Sequence, residues 1–125
     1  METGSIDGAR VLVVEDDILI ALELAENLAQ GGAIVEGPYH TLGDAMDAAR
    51  ATGIDLALLD IDLEGEEVFP VARILRKRGV PFMFHTGHAD REILRTDFRD
   101  VPVANKPAEA RRLLARLGAL RHLAA

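Results

Sequence analysis

A chain of 125 residues, 49% hydrophobic and 28% charged, is long enough to bury one core and too short for two ordinary domains. It has no cysteine, which excludes disulfides, thiolate catalysis and cysteine-held zinc or iron–sulfur centres. The net charge of −7 is divided unevenly: residues 1–67 carry 16 acids and two bases, residues 68–125 five acids and 12 bases. The first half therefore favours cations, and the second an anionic group or an acidic partner. No apolar run approaches the roughly 18 residues of a membrane span, and residues 1–8 lack the basic-then-apolar pattern of a signal peptide. A soluble, cytoplasmic domain without a membrane partner is expected.

Residues 11–14 are an apolar run that ends in Glu15-Asp16-Asp17, the pattern of a buried strand feeding a loop. Ile18, Leu22, Ala25 and Leu28 recur at spacings of three and four, which predicts an amphipathic helix with these residues inward, stopped by Gly31-Gly32. Residues 33–35 read as a second strand, broken by Gly37-Pro38. Thr41 caps a predicted helix reaching Arg50, with Leu42, Ala45, Met46 and Ala49 on its apolar face. A third strand over 54–59 again ends in acid, at Asp60 and Asp62. Residues 68–78 read as a helix with Val71, Ala72, Ile74 and Leu75 inward and Pro70 tolerated in its first turn. A fourth strand begins over 81–84 and stops at Thr86-Gly87. Residues 90–98 give a further helix, 101–104 a fifth strand running into Asn105-Lys106-Pro107, and 108–123 a last helix with Leu113, Leu114, Leu117 and Leu120 inward.

Strictly alternating strands and helices imply an α/β fold, a doubly wound parallel sheet with helices on both faces. At this length the flavodoxin-like, five-stranded order 2-1-3-4-5 is expected, with residues 1–9 as an N-terminal extension and 10–125 as the domain. The crevice of such a sheet lies beyond the carboxyl ends of strands one and three, which carry Glu15, Asp16 and Asp60. Carboxylates so gathered repel one another unless a cation joins them, and oxygen ligands suit Mg²⁺. Asp62 stands in the same loop and can add a backbone carbonyl. Thr86 and Lys106, at the ends of strands four and five, would complete an electrostatic cradle for phosphoryl transfer, with Asp60 as nucleophile.

Val11-Leu12-Val13-Val14-Glu15-Asp16-Asp17, Leu58-Leu59-Asp60, Phe84-His85-Thr86-Gly87 and Asn105-Lys106-Pro107 together resemble the receiver domain of two-component response regulators. The resemblance spans residues 10–123. It implies Asp60 as phosphoacceptor, Glu15 and Asp16 as metal-site acids, Thr86 as switch hydroxyl and Lys106 as site lysine. It also implies a histidine kinase or phosphotransfer protein as donor, with the receiver catalysing only its own phosphorylation and dephosphorylation. Pro81-Phe82-Met83-Phe84-His85-Thr86-Gly87-His88 is similar to the signature of the stand-alone alphaproteobacterial FATGUY receivers, which implies general stress signalling. His85 and His88 depart from that signature. Val103 replaces the aromatic that many receivers place three residues before the lysine, so a conformational change must travel through Thr86 and the loop after it.

Asp62 and His88, each two residues beyond a site residue, are expected to flank the path of water to a phosphoryl group. If residues 90–98 are helical, Arg91, Arg95 and Arg99 form one stripe, a docking face for an acidic protein. The excess of acid leaves nucleic acid an improbable partner, and a monomer or weak dimer is expected. Output is by protein contact or as a phosphate sink. Two rivals remain: a haloacid dehalogenase-like phosphatase, from Asp60-Ile61-Asp62, and a pseudo-receiver that binds without chemistry.

Overall fold

The computed structural model describes residues 5–51 and 53–124. The chain runs β1 (Arg10–Val14), α1 (Ile18–Gln30), β2 (Ile34–Tyr39), α2 (Leu42–Arg50), β3 (Leu56–Leu59), β4 (Asp62–Leu63), β5 (Glu66–Glu67), α3 (Phe69–Lys77), β6 (Phe82–Thr86), α4 (Glu92–Arg95), β7 (Val103–Asn105) and α5 (Ala110–Ala124). The main sheet has the order β2-β1-β3-β6-β7, and all its pairings are parallel. Setting aside the small β4–β5 hairpin, this is the expected 2-1-3-4-5 arrangement.

A sheet covered on both faces buries its central strands, and alternate residues serve alternate cores. Leu12, Val14, Ala57, Leu59, Phe82 and Phe84 face the layer of α2, α3 and α4. Val11, Val13, Leu56, Leu58 and Met83 face α1 and α5. The second core also takes in Ile6 and Ala9, from the segment read as an extension. Arg121 of α5 donates to the carbonyl oxygens of Ser5 and Asp7 and ties that segment down. All four phenylalanines of the chain sit in the first core. Phe69 stacks on Phe98 at 5.5 Å, and Phe84 meets both rings edge-on.

Three local expectations are corrected. The buried stripe of α1 is Ala21, Leu24 and Leu28, while Ile18 (62% exposed) and Leu22 (58%) face solvent beside Leu19 (78%). Ile18 follows the N-cap Asp17 directly, so it lies at the rim of the sheet rather than over it. Gly37-Pro38 does not break β2, because β2 is an edge strand and tolerates a missing donor. Instead the register slips: Leu12 faces Glu36 but Val14 faces Tyr39, which makes a bulge with Gly37 at φ +107°. A Cβ on Gly37 would lie 2.9 Å from the Val13 carbonyl oxygen. Residues 62–67 form a hairpin whose tip, Glu64-Gly65, takes positive φ at both positions, as a type I′ turn needs.

The third correction concerns the segment 90–98. Its helix, α4, lasts four residues, too few to align Arg91, Arg95 and Arg99 in one stripe. Arg91 precedes the helix and turns back toward β4–β5, and Arg95 pairs with Asp90 at 2.6 Å. Side chains from α3 take over beyond it. Arg73 and Arg76 stack over Phe98 at 5.3 and 5.0 Å, and Arg76 also donates to the Asp97 carbonyl and the Asp100 carboxylate. The chain is thus held irregular by aromatic and charged packing. The Arg91/Arg95/Arg99 docking face is therefore not present. None of the helices among the described residues is long and apolar enough to cross a membrane.

Candidate functional site

Parallel ladders bring the carboxyl ends of the strands level. The Asp60 amide donates to the Val14 carbonyl at 2.8 Å, and the Lys106 amide to the Thr86 carbonyl at 2.8 Å. The residues that follow each strand therefore meet at one edge of the sheet, where backbone groups leave the ladder and side chains converge. Carboxylate oxygens of Glu15, Asp16 and Asp60 lie within 4.8 Å of one another. Lys106 Nζ stands 2.8 Å from Glu15 Oε1 and 3.2 Å from Asp60 Oδ2. Four of the predicted site residues, from β1, β3 and β7, are thus in mutual reach.

Burial makes this charge density consequential. Asp60 is 4% exposed and Glu15 is 1% exposed. Desolvation, reinforced by the hydrogen bond and charge of Glu15, pushes the Asp60 carboxyl up to about 8. Lys106 opposes that rise but does not cancel it. Burial likewise works against the Lys106 ammonium, yet its hydrogen bond to Glu15 and the charges of Asp60 and Glu15 outweigh it and raise its pKa. Asp16 goes the other way. Its desolvation is outweighed by hydrogen bonding with Asp60, by the Glu64 amide at 3.2 Å and by Glu15, and its pKa is lowered. Asp60 and Asp16 are thus shifted in opposite directions within one cluster.

Glu15 is engaged at both oxygens: Oε2 accepts from the Asp17 amide and from Lys106, and Oε1 lies 2.8 Å from the Lys106 ammonium. Three converging carboxylates are the donor set of a hard, oxygen-binding dication such as Mg²⁺. The residues present fit that ion.

Thr86 is fully buried at the end of β6, and its Oγ1 accepts from the His88 amide at 3.1 Å, leaving its own proton free to donate. Asp62 is not gathered with the other acids. Its carboxylate accepts from Arg91 Nη2 at 2.5 Å, and His88 Nδ1 lies 3.8 Å away. His88 itself is exposed. His85, one residue before Thr86, is 4% exposed with neither ring nitrogen paired. Burial and the nearby Lys106 charge depress its pKa, so the ring is held neutral.

Sequence reasoning passed over two contributors. His40 Nδ1 lies 2.8 Å from the Glu15 carbonyl oxygen and braces the start of the acidic loop. Tyr39 sits beside it: its carbonyl accepts from the Glu15 amide at 2.9 Å, and its phenol donates to Glu36 at 2.6 Å. Neither has a motif signal, because only the β2 bulge brings this pair to the site. Asp17 takes the part a lone acid there commonly has, capping α1 through the amides of Leu19 and Ile20.

No protein-family model matches the chain. It is 37% identical to SdrG from Sphingomonas melonis Fr1, and that solution structure superposes with a TM-score of 0.77, covering 90% of this chain and 96% of that one. The non-phosphorylated HemR receiver domain from Leptospira biflexa is 31% identical, with a TM-score of 0.78 over 90% of this chain and 94% of its own. The transcriptional regulatory protein PdtaR of Mycobacterium tuberculosis is 29% identical over 86 residues, 68% of this chain. The match takes in 42% of that protein, less than half of its length.

Proposed function

This chain belongs to the response-regulator receiver family, and from that premise we propose that Asp60 accepts a phosphoryl group from a phosphohistidine donor. The observation that carries the reading is the convergence of three carboxylates within 4.8 Å, with the Lys106 ammonium 3.2 Å from Asp60. An Asp60 oxygen attacks phosphorus, the donor's phosphorus–nitrogen bond breaks, and an acyl phosphate forms. Lys106 is placed to neutralise a phosphoryl oxygen as a point charge, and the Thr86 hydroxyl to donate to another. The carboxylates of Glu15, Asp16 and Asp60, with the Asp62 carbonyl, would hold Mg²⁺. Mg²⁺, when bound, neutralises charge on the transferring group.

Asp60 can attack only once its proton has gone. With its carboxyl near 8 in the cation-free site, most of it is protonated at neutral pH. Labelling is therefore expected to depend strongly on magnesium. Incubation with a small acyl phosphate, followed by intact-mass measurement, should label the wild type with Mg²⁺ and leave Asp60→Asn unlabelled. An equally labelled Asp60→Asn protein, or a wild type that never labels, overturns the assignment and favours a pseudo-receiver. The phosphatase alternative is disfavoured by the hold of Arg91 on Asp62, which does not present that carboxylate beside Asp60.

The donor would be a histidine kinase or phosphotransfer protein. The exposed Ile18, Leu19 and Leu22 beside the site give such a partner an apolar footing. Output by protein contact or as a phosphate sink, in general stress signalling, completes the reading. Phosphotransfer profiling against candidate kinases tests that last part.

A further inference from the structure

Arg91 is the most heavily committed side chain near the site, and nothing in the phosphoacceptor reading uses it. It lies in the loop between β6 and α4, yet its side chain is only 18% exposed. Its guanidinium spends three donors at once. Nη2 donates to Asp62 Oδ2 at 2.5 Å, Nη1 to Glu67 Oε2 at 2.8 Å, and Nε to the His88 carbonyl at 2.8 Å. Asp62 opens β4 and Glu67 closes β5, and these two residues face each other in the hairpin ladder. One arginine therefore closes the mouth of the hairpin and ties it to the loop that follows Thr86. The planar fork of arginine makes such a grip directional, which a lysine cannot reproduce.

We propose that Arg91 is a positioning residue that holds the Asp62 carboxylate away from the phosphoacceptor and so lengthens the life of the acyl phosphate. The inference rests on the reading of Asp60 as the phosphorylated residue. Asp62 is two residues from Asp60, and its carboxylate is about half exposed, at the rim of the crevice. Released from Arg91, it would accept a hydrogen bond from water and orient that water toward phosphorus. In the hydrolysis, the water oxygen bonds to phosphorus and the bond from phosphorus to the Asp60 oxygen breaks. Asp60 leaves as a carboxylate, and both protons of the water depart on inorganic phosphate, so no further reactant is needed. In the present geometry Asp62 is instead neutralised and pointed at the guanidinium, with His88 alongside it.

Two measurements on the full chain test this. In the first, wild type, Arg91→Ala, Asp62→Asn and the double variant are labelled with a small acyl phosphate and Mg²⁺, and loss of label is followed by intact mass. Arg91→Ala should decay about two- to fivefold faster, the range set by the energy of a partly exposed ion pair. The double variant should decay like Asp62→Asn, and Arg91→Lys should restore only part of the wild-type rate. Unchanged or slower decay in Arg91→Ala, or acceleration that persists in the double variant, overturns the proposal. In the second, amide exchange across residues 62–67 is compared in unphosphorylated wild type and Arg91→Ala. Faster exchange in the variant supports the grip, and equal exchange overturns it. Should Asp60 take no label in any protein, the phosphoacceptor reading fails on that ground alone, whereas the grip of Arg91 on the hairpin is decided by the exchange result.

Discussion

At the scale of single residues, the defining feature is a carboxyl group carrying a proton at neutral pH. The Asp60 pKa near 8, against 3.8 for an ordinary aspartate, means that the folded chain binds this proton more tightly than the unfolded one does. Stability contributed by Asp60 is thus fully present below pH 4 and is lost as pH rises through about 8. In the absence of divalent cations, the denaturation midpoint of the wild type should fall between about pH 6 and about pH 9. Asp60→Asn, which has nothing to titrate there, should fall less over the same interval. Equal slopes in the two proteins would show that Asp60 is ionised across the range and that the burial argument is wrong. Much of the site was legible beforehand at this scale, because Glu15, Asp16 and Asp60 each end an apolar run. Arg91 was not. Its spacing from Arg95 and Arg99 put it in a docking stripe on a helix, and only the turn before α4 sends it to Asp62.

Elements explain the remaining mismatches. Buried parallel strands were easy to find, since both faces must be apolar and the runs are correspondingly uniform. The phase of α1 was harder. Ile18, Leu19, Ile20, Leu22 and Leu24 put apolar side chains nearly all round its first half, so spacing alone selects no face. What marks the buried stripe is Ala21, small enough for close approach to the sheet, followed by Leu24 and Leu28. The leucines and isoleucine left outside carry an expected effect of their own. Leu19→Asp, at a position 78% exposed, should leave folding and labelling by a small acyl phosphate unchanged. Phosphotransfer from the cognate kinase should slow about fivefold or more, as for an apolar anchor removed from an interface. Matching losses with both donors would point instead to a damaged site. Segment 90–98 shows the converse case, a helical pattern overridden by tertiary packing. Phe98 anchors there among Phe69, Phe82 and Phe84, and α3 supplies the arginines that hold Asp97 and Asp100 on either side of it.

For the molecule as a whole, the charge asymmetry acquires a spatial meaning. The acidic first half supplies Glu15, Asp16, Asp60, Asp62, Glu64 and Glu67 at or near the carboxyl edge of the sheet, while the basic second half returns Lys106 and Arg91 to them. A site with more negative than positive charge destabilises the fold until a cation joins it. Magnesium should therefore raise the melting temperature of the wild type, by the equivalent of about 2.7 kcal/mol at a hundredfold excess over its dissociation constant. Asp16→Ala should blunt that rise, and a wild type whose melting temperature ignores magnesium would refute the cation site.

The bulge in β2 has an optical consequence. The chain contains one tyrosine and no tryptophan, and the slip in register seats that tyrosine one backbone hydrogen bond from Glu15 with its phenol against Glu36. Tyrosine emission from this protein therefore reports on one residue, a single backbone hydrogen bond away from the acidic loop, with no dye to attach.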